Sequence, residues 1–294
     1  MKTIIYILIA VMIGSIVYSA IPQSNKNVQV YKNEIVLESN NKVLFDSELQ
    51  YSVNIISKRL EDYGIKLFSI YPVVDKSQIH INFKKQQNVV EIADLLCQIG
   101  KLHFLETYSS AEVTAQLQQK DKLYALMNVE KSEYYTAELG TCTLADAEKL
   151  SDYLNSGAFR KKIPANLLFA WSKVSAEKPN QLSIFCLKLD NEDISVLDGN
   201  AVAEIKLDIS DSKNPAILIK FNEQGAKFWQ KMTAENINKT IAIVMDQQVY
   251  YAPVVKSEIK GGNCSLTGKF SEKEVKVFVS LVKNGELPTS FKIK

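Results

Sequence analysis

Residues 46–83 read DSELQYSVNIISKRLEDYGIKLFSIYPVVDKSQIHINF, and this stretch decides the fold of the first third of the chain. Leu49, Val53, Ile56, Leu60 and Tyr63 recur at three- and four-residue steps, which lays them along one face of a helix. Asp46 or Ser47 caps its start, and Gly64 supplies a C-cap. Residues 65–74 then read as a strand, Asp75, Lys76 and Ser77 as a turn, and 78–83 as a second strand. In that second strand Ile79, Ile81 and Phe83 alternate with His80 and Asn82. Upstream lie two β-like runs, Ile35-Val36-Leu37 and Val43-Leu44-Phe45. Downstream, Val89, Ile92, Leu96 and Ile99 form another helical stripe, stopped by Gly100, and 101–107 reads as a further strand. The order is βαββαβ. It predicts a ferredoxin-like base over 34–108, a four-stranded antiparallel sheet with two helices on one face. A plan of this kind carries no function by itself.

Beyond it the pattern predicts an α+β head over 109–285. A polar helix is expected at 111–127 and a cleaner one from Thr143, with Asp146 placed as in a capping box and Leu144, Ala147, Leu150 and Leu154 on one face. Residues 163–171 read as a loop entering a strand; 182–189 and 201–209 read as strands. Residues 216–221 form a strand, after which Asn222 caps a helix carrying Ala226, Trp229 and Met232. Residues 240–246 form a buried strand, and Gln247-Gln248 is the expected hairpin loop before a returning strand at 249–252. Pro253 limits pairing there. Gly261-Gly262 makes a second tight turn. Ser271 with Glu274 is a capping box for a last helix bearing Val275, Phe278 and Leu281. Asn284-Gly285 and Pro288 end that helix, and 286–294 is a C-terminal segment whose Phe291-Lys292-Ile293 pairs as an edge strand.

The chain has 294 residues, and its 35 basic and 33 acidic side chains leave a formal charge of +2. So balanced a surface gives no field for nucleic acid. Lysine supplies almost all of the positive charge; Arg59 and Arg160 are the two arginines. Residues 4–21 form an apolar run of roughly 27 Å as a helix, about a bilayer core. Residues 1–22 are read as a signal anchor, with a signal peptide cleaved after Ser19 as the competing reading, and the polar stretch 23–33 as a tether. The four cysteines Cys97, Cys142, Cys186 and Cys264 form no CxxC pair. They read as small buried apolar residues, although an exported chain permits disulfides. His80 and His103 fall on strands that the ferredoxin-like plan separates, which argues against a metal or triad site. No Walker loop, GxGxxG, GxSxG or HExxH occurs. Asp246 is a turn-opening residue, and Trp171 and Trp229 read as core. The expectation is no catalytic residue, no cofactor and no metal.

Phe221 through Trp229 (FNEQGAKFW), then Thr233, Glu235-Asn236 and Ile241 through Asp246 (IAIVMD), resemble the SecD protein-export family. So do Val249-Tyr250-Tyr251-Ala252-Pro253, Ile259-Lys260-Gly261-Gly262, Leu266-Thr267-Gly268-Lys269-Phe270 and Asn284-Gly285-Glu286-Leu287-Pro288. Weaker similarity covers Leu102 through Thr107, Ile163 through Trp171 and Arg59 through Gly64, so that the resemblance spans most of 46–291. It implies the periplasmic part of SecD, a ferredoxin-like base with a mobile head that holds emerging preproteins. Gly225, Asp246, Tyr251, Pro253, Gly261, Gly262, Gly268, Gly285 and Pro288 then become motif residues that shape a groove or hinge.

This sequence departs from the family in three ways. It stops at Lys294, where SecD continues into membrane helices, and is expected to be a form without the proton-driven motor. Ile81 through Lys85 stand where the family has a proline-glycine turn, and Asp246-Gln247 stands where Asp-Gly is usual. The resulting expectation is a non-catalytic, single-pass accessory on the periplasmic side of the inner membrane. Its partners would be unfolded or translocating polypeptide, the Sec translocon or a full-length SecDF. The alternatives are a diverged envelope scaffold that kept the fold, and release into the periplasm after signal cleavage.

Overall fold

The computed structural model describes residues 30–40, 43–118, 121–129, 135–173, 178, 180–189, 197–211, 215–268 and 270–294. The apolar run at 4–21 and the tether up to residue 29 lie outside them. In chain order the first elements are β1 (Tyr31–Ser39), α1 (Asp46–Tyr63), β2 (Phe68–Val73), β3 (Gln78–Asn88), α2 (Val89–Cys97) and β4 (Leu102–Glu106). Then come α3 (Ser110–Thr114), α4 (Leu123–Leu126), β5 (Asn128–Val129), β6 (Glu138–Thr143), α5 (Ala147–Asn155), α6 (Gly157–Arg160), β7 (Leu167–Ser172) and β8 (Gln181–Lys188). The last are β9 (Val202–Asp208), β10 (Ala216–Phe221), α7 (Glu223–Glu235), β11 (Ile241–Met245), β12 (Gln248–Tyr251), β13 (Asn263–Thr267), α8 (Glu272–Asn284) and β14 (Phe291–Ile293).

The chain divides into two compact units. A terminal unit takes the described residues up to Leu102 together with Gly199–Ala226 and Gly261–Lys294; a central unit takes His103–Asp198 and Lys227–Lys260.

In the terminal unit α1 forms on the predicted stripe, burying Leu49, Val53, Ile56 and Leu60. Gly64, at φ +112°, closes it by donating its N–H to the Leu60 and Glu61 carbonyls. The sheet order is β14-β1-β3-β2, antiparallel throughout. This is the ferredoxin-like order, but the fourth strand is not the one expected. Residues 101–107 do not close this sheet. Instead β14 lies beside β1, with Leu37 opposite Ile293 and Ser39 opposite Phe291, and the base predicted over 34–108 is corrected accordingly. Burial gives the physical reason. Leu102, Phe104 and Leu105 of β4 are all buried, which suits a strand covered on both faces. In β14, Phe291 is buried and Lys292 exposed, the alternation of a half-solvated edge. β1 also starts at Tyr31, inside the stretch read as tether. The unit is completed by the sheet β13-β10-β9. Helix α8, started by the predicted Ser271–Glu274 capping box, packs on α1, α2 and β9.

In the central unit β4 joins a seven-stranded sheet of order β4-β11-β12-β7-β8-β6-β5. All five residues of β11 are buried. Thr107, just past β4, bridges to Leu187 on β8, so β4, β11, β12, β7 and β8 follow one another round a ring. Strand alternation then sorts two cores. Phe169, Trp171, Leu182, Ile184 and Cys186 face the cluster built with α3 to α6. Ala170 and Leu187 pack instead with Leu105, Ala242, Val244 and Val249. The helix expected at 111–127 is broken, forming α3 and α4, and the one expected from Thr143 begins at Ala147.

Candidate binding cleft and motif turns

The motif residues divide between the two units. Asp246, Tyr251 and Pro253 belong to the central unit; Gly225, Gly261, Gly262, Gly268, Gly285 and Pro288 belong to the terminal unit.

In the central unit, β11 and β12 form the predicted hairpin one residue out of the expected register. Met245 pairs with Gln248, so the two-residue loop is Asp246-Gln247 rather than Gln247-Gln248. Both loop residues have positive φ, +49° and +69°, as a type I′ turn requires. The primed turn therefore survives without its glycine, at a steric cost at Gln247 of about 1 kcal/mol. Thr240, at the start of β11, bridges to Val254, and the Pro253 carbonyl accepts from the Ile241 N–H. Pro253 thus takes part in the ladder through its acceptor alone.

Where β12 and β7 end, the ring leaves a cleft of about 280 Å³. Ala137, Phe185, Val249 and Ala252 supply its apolar lining. Glu138, Lys173, Tyr250 and Tyr251 supply polar groups, and the Lys173 ammonium lies 5.0 Å from the centroid of the Tyr250 ring. Burial raises the Tyr251 phenol above its ordinary pKa. Next to the cleft, Thr107 Oγ1 lies 2.8 Å from both the carbonyl and the hydroxyl of Thr240, while the Tyr135 hydroxyl donates to the Thr107 carbonyl. Burial pushes Tyr135 up to about 12, so these hydroxyls act as hydrogen-bonding groups at neutral pH. The cleft has room for one or two side chains and lies at the small end for a cofactor pocket.

A second cavity of about 350 Å³ holds Asp121. That carboxylate accepts from the Tyr153 hydroxyl (2.6 Å), the Lys162 ammonium (2.5 Å) and the Leu123 N–H (3.0 Å). Burial alone would raise its pKa, but these three donors outweigh burial and lower it. Its hydrogen bond to Leu123 anchors the start of α4, a structural task.

In the terminal unit two of the motif glycines, Gly225 and Gly262, permit close approach. Asn222 caps α7 by accepting the Gly225 N–H at 2.8 Å. A Cβ on Gly225 would stand 2.8 Å from that of Ala201, and one on Gly262 (φ +71°) 2.5 Å from that of Ala226. Gly268 follows β13, and Pro288 follows Leu287, whose N–H donates to the Ile99 carbonyl.

The Gly285 carbonyl meets Arg59, which belongs to a stretch of weaker similarity and not to the motif residues. Arg59 on α1 is fully buried. Its Nη1 donates to the Gln98 carbonyl at 2.7 Å and, at 3.3 Å, to that of Leu95; its Nη2 donates to the Ile99 and Gly285 carbonyls, each at 2.7 Å. One guanidinium thus satisfies the C-terminal carbonyls of two helices, α2 and α8, where the helix dipole favours a cation. Gly100 makes room for it: a Cβ there would stand 2.6 Å from Nη2. The signal in the sequence was an arginine on the apolar stripe of α1, in a chain with only one other.

All four cysteines are free thiols. Burial pushes Cys97 and Cys264 up to about 12 and Cys142 to about 11, and raises Cys186 further. His80 and His103 belong to different units. Among the described residues no group of three or more His, Cys, Asp and Glu side chains is placed to hold a metal ion. Among them, too, no helix is long and apolar enough to cross a membrane.

A ferredoxin-like sheet closed by a C-terminal strand, together with a ring-forming sheet and glycine-dependent turns, defines a two-unit α+β protein. Residues 186–289 match the family model described as the SecDF P1 head subdomain. Over that region the chain is similar to the SecDF head subdomain. It is 29% identical over 262 residues to the protein translocase subunit SecD of Calditerrivibrio nitroreducens, covering 88% of this chain and 46% of that one. It is 36% identical over 104 residues to the SecD subunit of Acidaminococcus fermentans, covering 35% of this chain and 25% of the relative. The chain thus spans about half the length of the first relative and a quarter of the second. Two solved structures share the fold. One, of a membrane component SecDF that enhances protein export, aligns with 88% of this chain and 97% of its own at 20% identity, TM-score 0.50. The other, SecDF in a super-membrane-facing form, aligns with 99% of this chain and 34% of its own at 17% identity, TM-score 0.52.

Proposed function

We propose that this chain is a non-catalytic accessory of protein export. It is held at the outer face of the inner membrane by residues 4–21 and binds emerging or unfolded polypeptide, or the Sec translocon. The observation that carries the reading is the ordered motif series from Phe221 to Pro288, which coincides with the matched head region.

The cleft beside β12 is the proposed polypeptide site. An extended peptide would place an apolar side chain against Phe185 and Val249, with Tyr250, Lys173 and Glu138 engaging its polar groups. Among the described residues, strands at the sheet edges offer a second route by strand addition. The β2 edge is blunted by Pro72, whereas β9 offers seven residues from Val202 to Asp208.

The test is photo-crosslinking in living cells from a benzophenone amino acid at position 250. The expected result is adducts with exported precursors or translocon subunits that weaken when Phe185 is replaced by Asp. No adduct from position 250, or the same adducts from a control at position 76, would overturn the assignment. Adducts with unrelated envelope proteins alone would leave the diverged-scaffold reading.

A further inference from the structure

The N-terminal end of β1 carries a surface with its own chemistry. Strands β1 and β2 both run antiparallel to β3, so their starts and the end of β3 meet at one end of the sheet. Tyr31 stands opposite Asn88, Lys32 opposite Gln87, and the Lys84 N–H donates to the Leu67 carbonyl. The Val89 N–H donates to the Val30 carbonyl, which brings the start of α2 to the same place. Four apolar side chains stand exposed there: Val30, Tyr31 (52%), Leu67 (54%) and Val90. Lys32, Lys66, Lys84 and Lys85 stand among them, and among the described residues none makes an ion pair. Two carboxylates near this end are already engaged, Glu91 by Lys273 and Asp62 by Lys283; Glu61 on the last turn of α1 and Glu34 on β1, which lies 3.7 Å from His80, remain to oppose the four lysines.

From this we infer that this end of the terminal unit is an interfacial lipid-docking surface, with the four lysines on anionic headgroups and Tyr31, Leu67 and Val90 at the headgroup boundary. The inference rests on the proposed anchoring by residues 4–21. Residues 22–29 reach at most roughly 27 Å, so the start of β1 stays within that distance of the apolar run. The surface so placed has the make-up an anionic interface selects: a tyrosine, aliphatic side chains, and lysines, a side chain whose stem can cover apolar surface while its ammonium group reaches phosphate.

The test uses the full chain in lipid nanodiscs, with an environment-sensitive fluorophore at Gln86→Cys or, at the opposite end of the sheet, at Lys76→Cys. A lipid carrying a headgroup nitroxide serves as quencher. In discs containing phosphatidylglycerol, quenching at 86 is expected to exceed that at 76 by at least about twofold. That excess is expected to fall in phosphatidylcholine alone, in ~0.5 M salt, and in the K32E/K66E/K84E/K85E variant. Equal quenching at both positions, or an excess indifferent to lipid charge and salt, overturns the proposal. Retention of the chain by the disc after a salt wash reports the anchor separately. If the chain is not retained, the anchoring reading fails. The same comparison on chain mixed with phosphatidylglycerol vesicles then decides the surface alone: an excess at 86 upholds it and equality rejects it.

Discussion

Arg59 shows how much of this fold hangs on single side chains. A buried cation survives because four carbonyls from two helix ends surround it, each of which would otherwise be a buried acceptor without a donor. Arg59→Met is therefore expected to lower stability by about 3 kcal/mol or more in urea denaturation, and Arg59→Lys by less, because the ammonium lacks the planar fork. A loss within experimental error for the Met variant would contradict the role given to Arg59. Asp121 yields a pH prediction. Its folded pKa lies below the ordinary value of about 3.9. Its contribution is then fully present above that value and disappears as pH falls through the lowered folded pKa. Asp121→Asn is expected to destabilise the protein near neutrality, with the difference from wild type shrinking below about pH 4; thermal melts across that range check it, and a constant difference would contradict it. The sequence made the turn residues legible, since Gly64 and Gly262 are glycines where φ is positive. Gln247 was not legible in this way. Nothing in a glutamine announces a left-handed backbone, and the hairpin register imposes it.

At the scale of elements, periodicity identified α1, α8, β3 and β11 because each buries a regular stripe or run. It failed on partnership. A pattern of apolar residues states which face is buried, not which strand, as far along the chain as Ile293 is from Leu37, will bury it. Hence β4 and β14 changed places relative to the expected sheet. The contrast between three buried apolar residues in β4 and the Phe291–Lys292 alternation in β14 was present in the sequence, but it becomes decisive only when both strands compete for one edge. Phe291→Ala is expected to cost about 3 kcal/mol and to speed amide exchange in residues 36–39 of β1, which pair with β14, more than in β2. Unchanged exchange at 36–39 would show that β14 does not hold that edge in solution. The cleft lay further from view. Its lining comes from β6, β7, β8 and β12, and no local spacing predicts that they meet.

At the scale of the whole molecule, the order of the motifs carries more than any one of them. Gly225, Gly262 and Gly285 shape turns and helix joins in the terminal unit, while Asp246, Tyr251 and Pro253 shape the hairpin beside the cleft. Both sets are kept in this chain, and the proposed export role is tested on the molecule that carries them together. The most direct measurement is affinity purification of the tagged full chain from its membrane after mild in-cell crosslinking, with partners read by mass spectrometry. The account predicts translocon subunits or exported precursors among the crosslinked species, reduced when the cleft is altered at Phe185. A reproducible set of partners with neither translocon subunits nor exported precursors would contradict it.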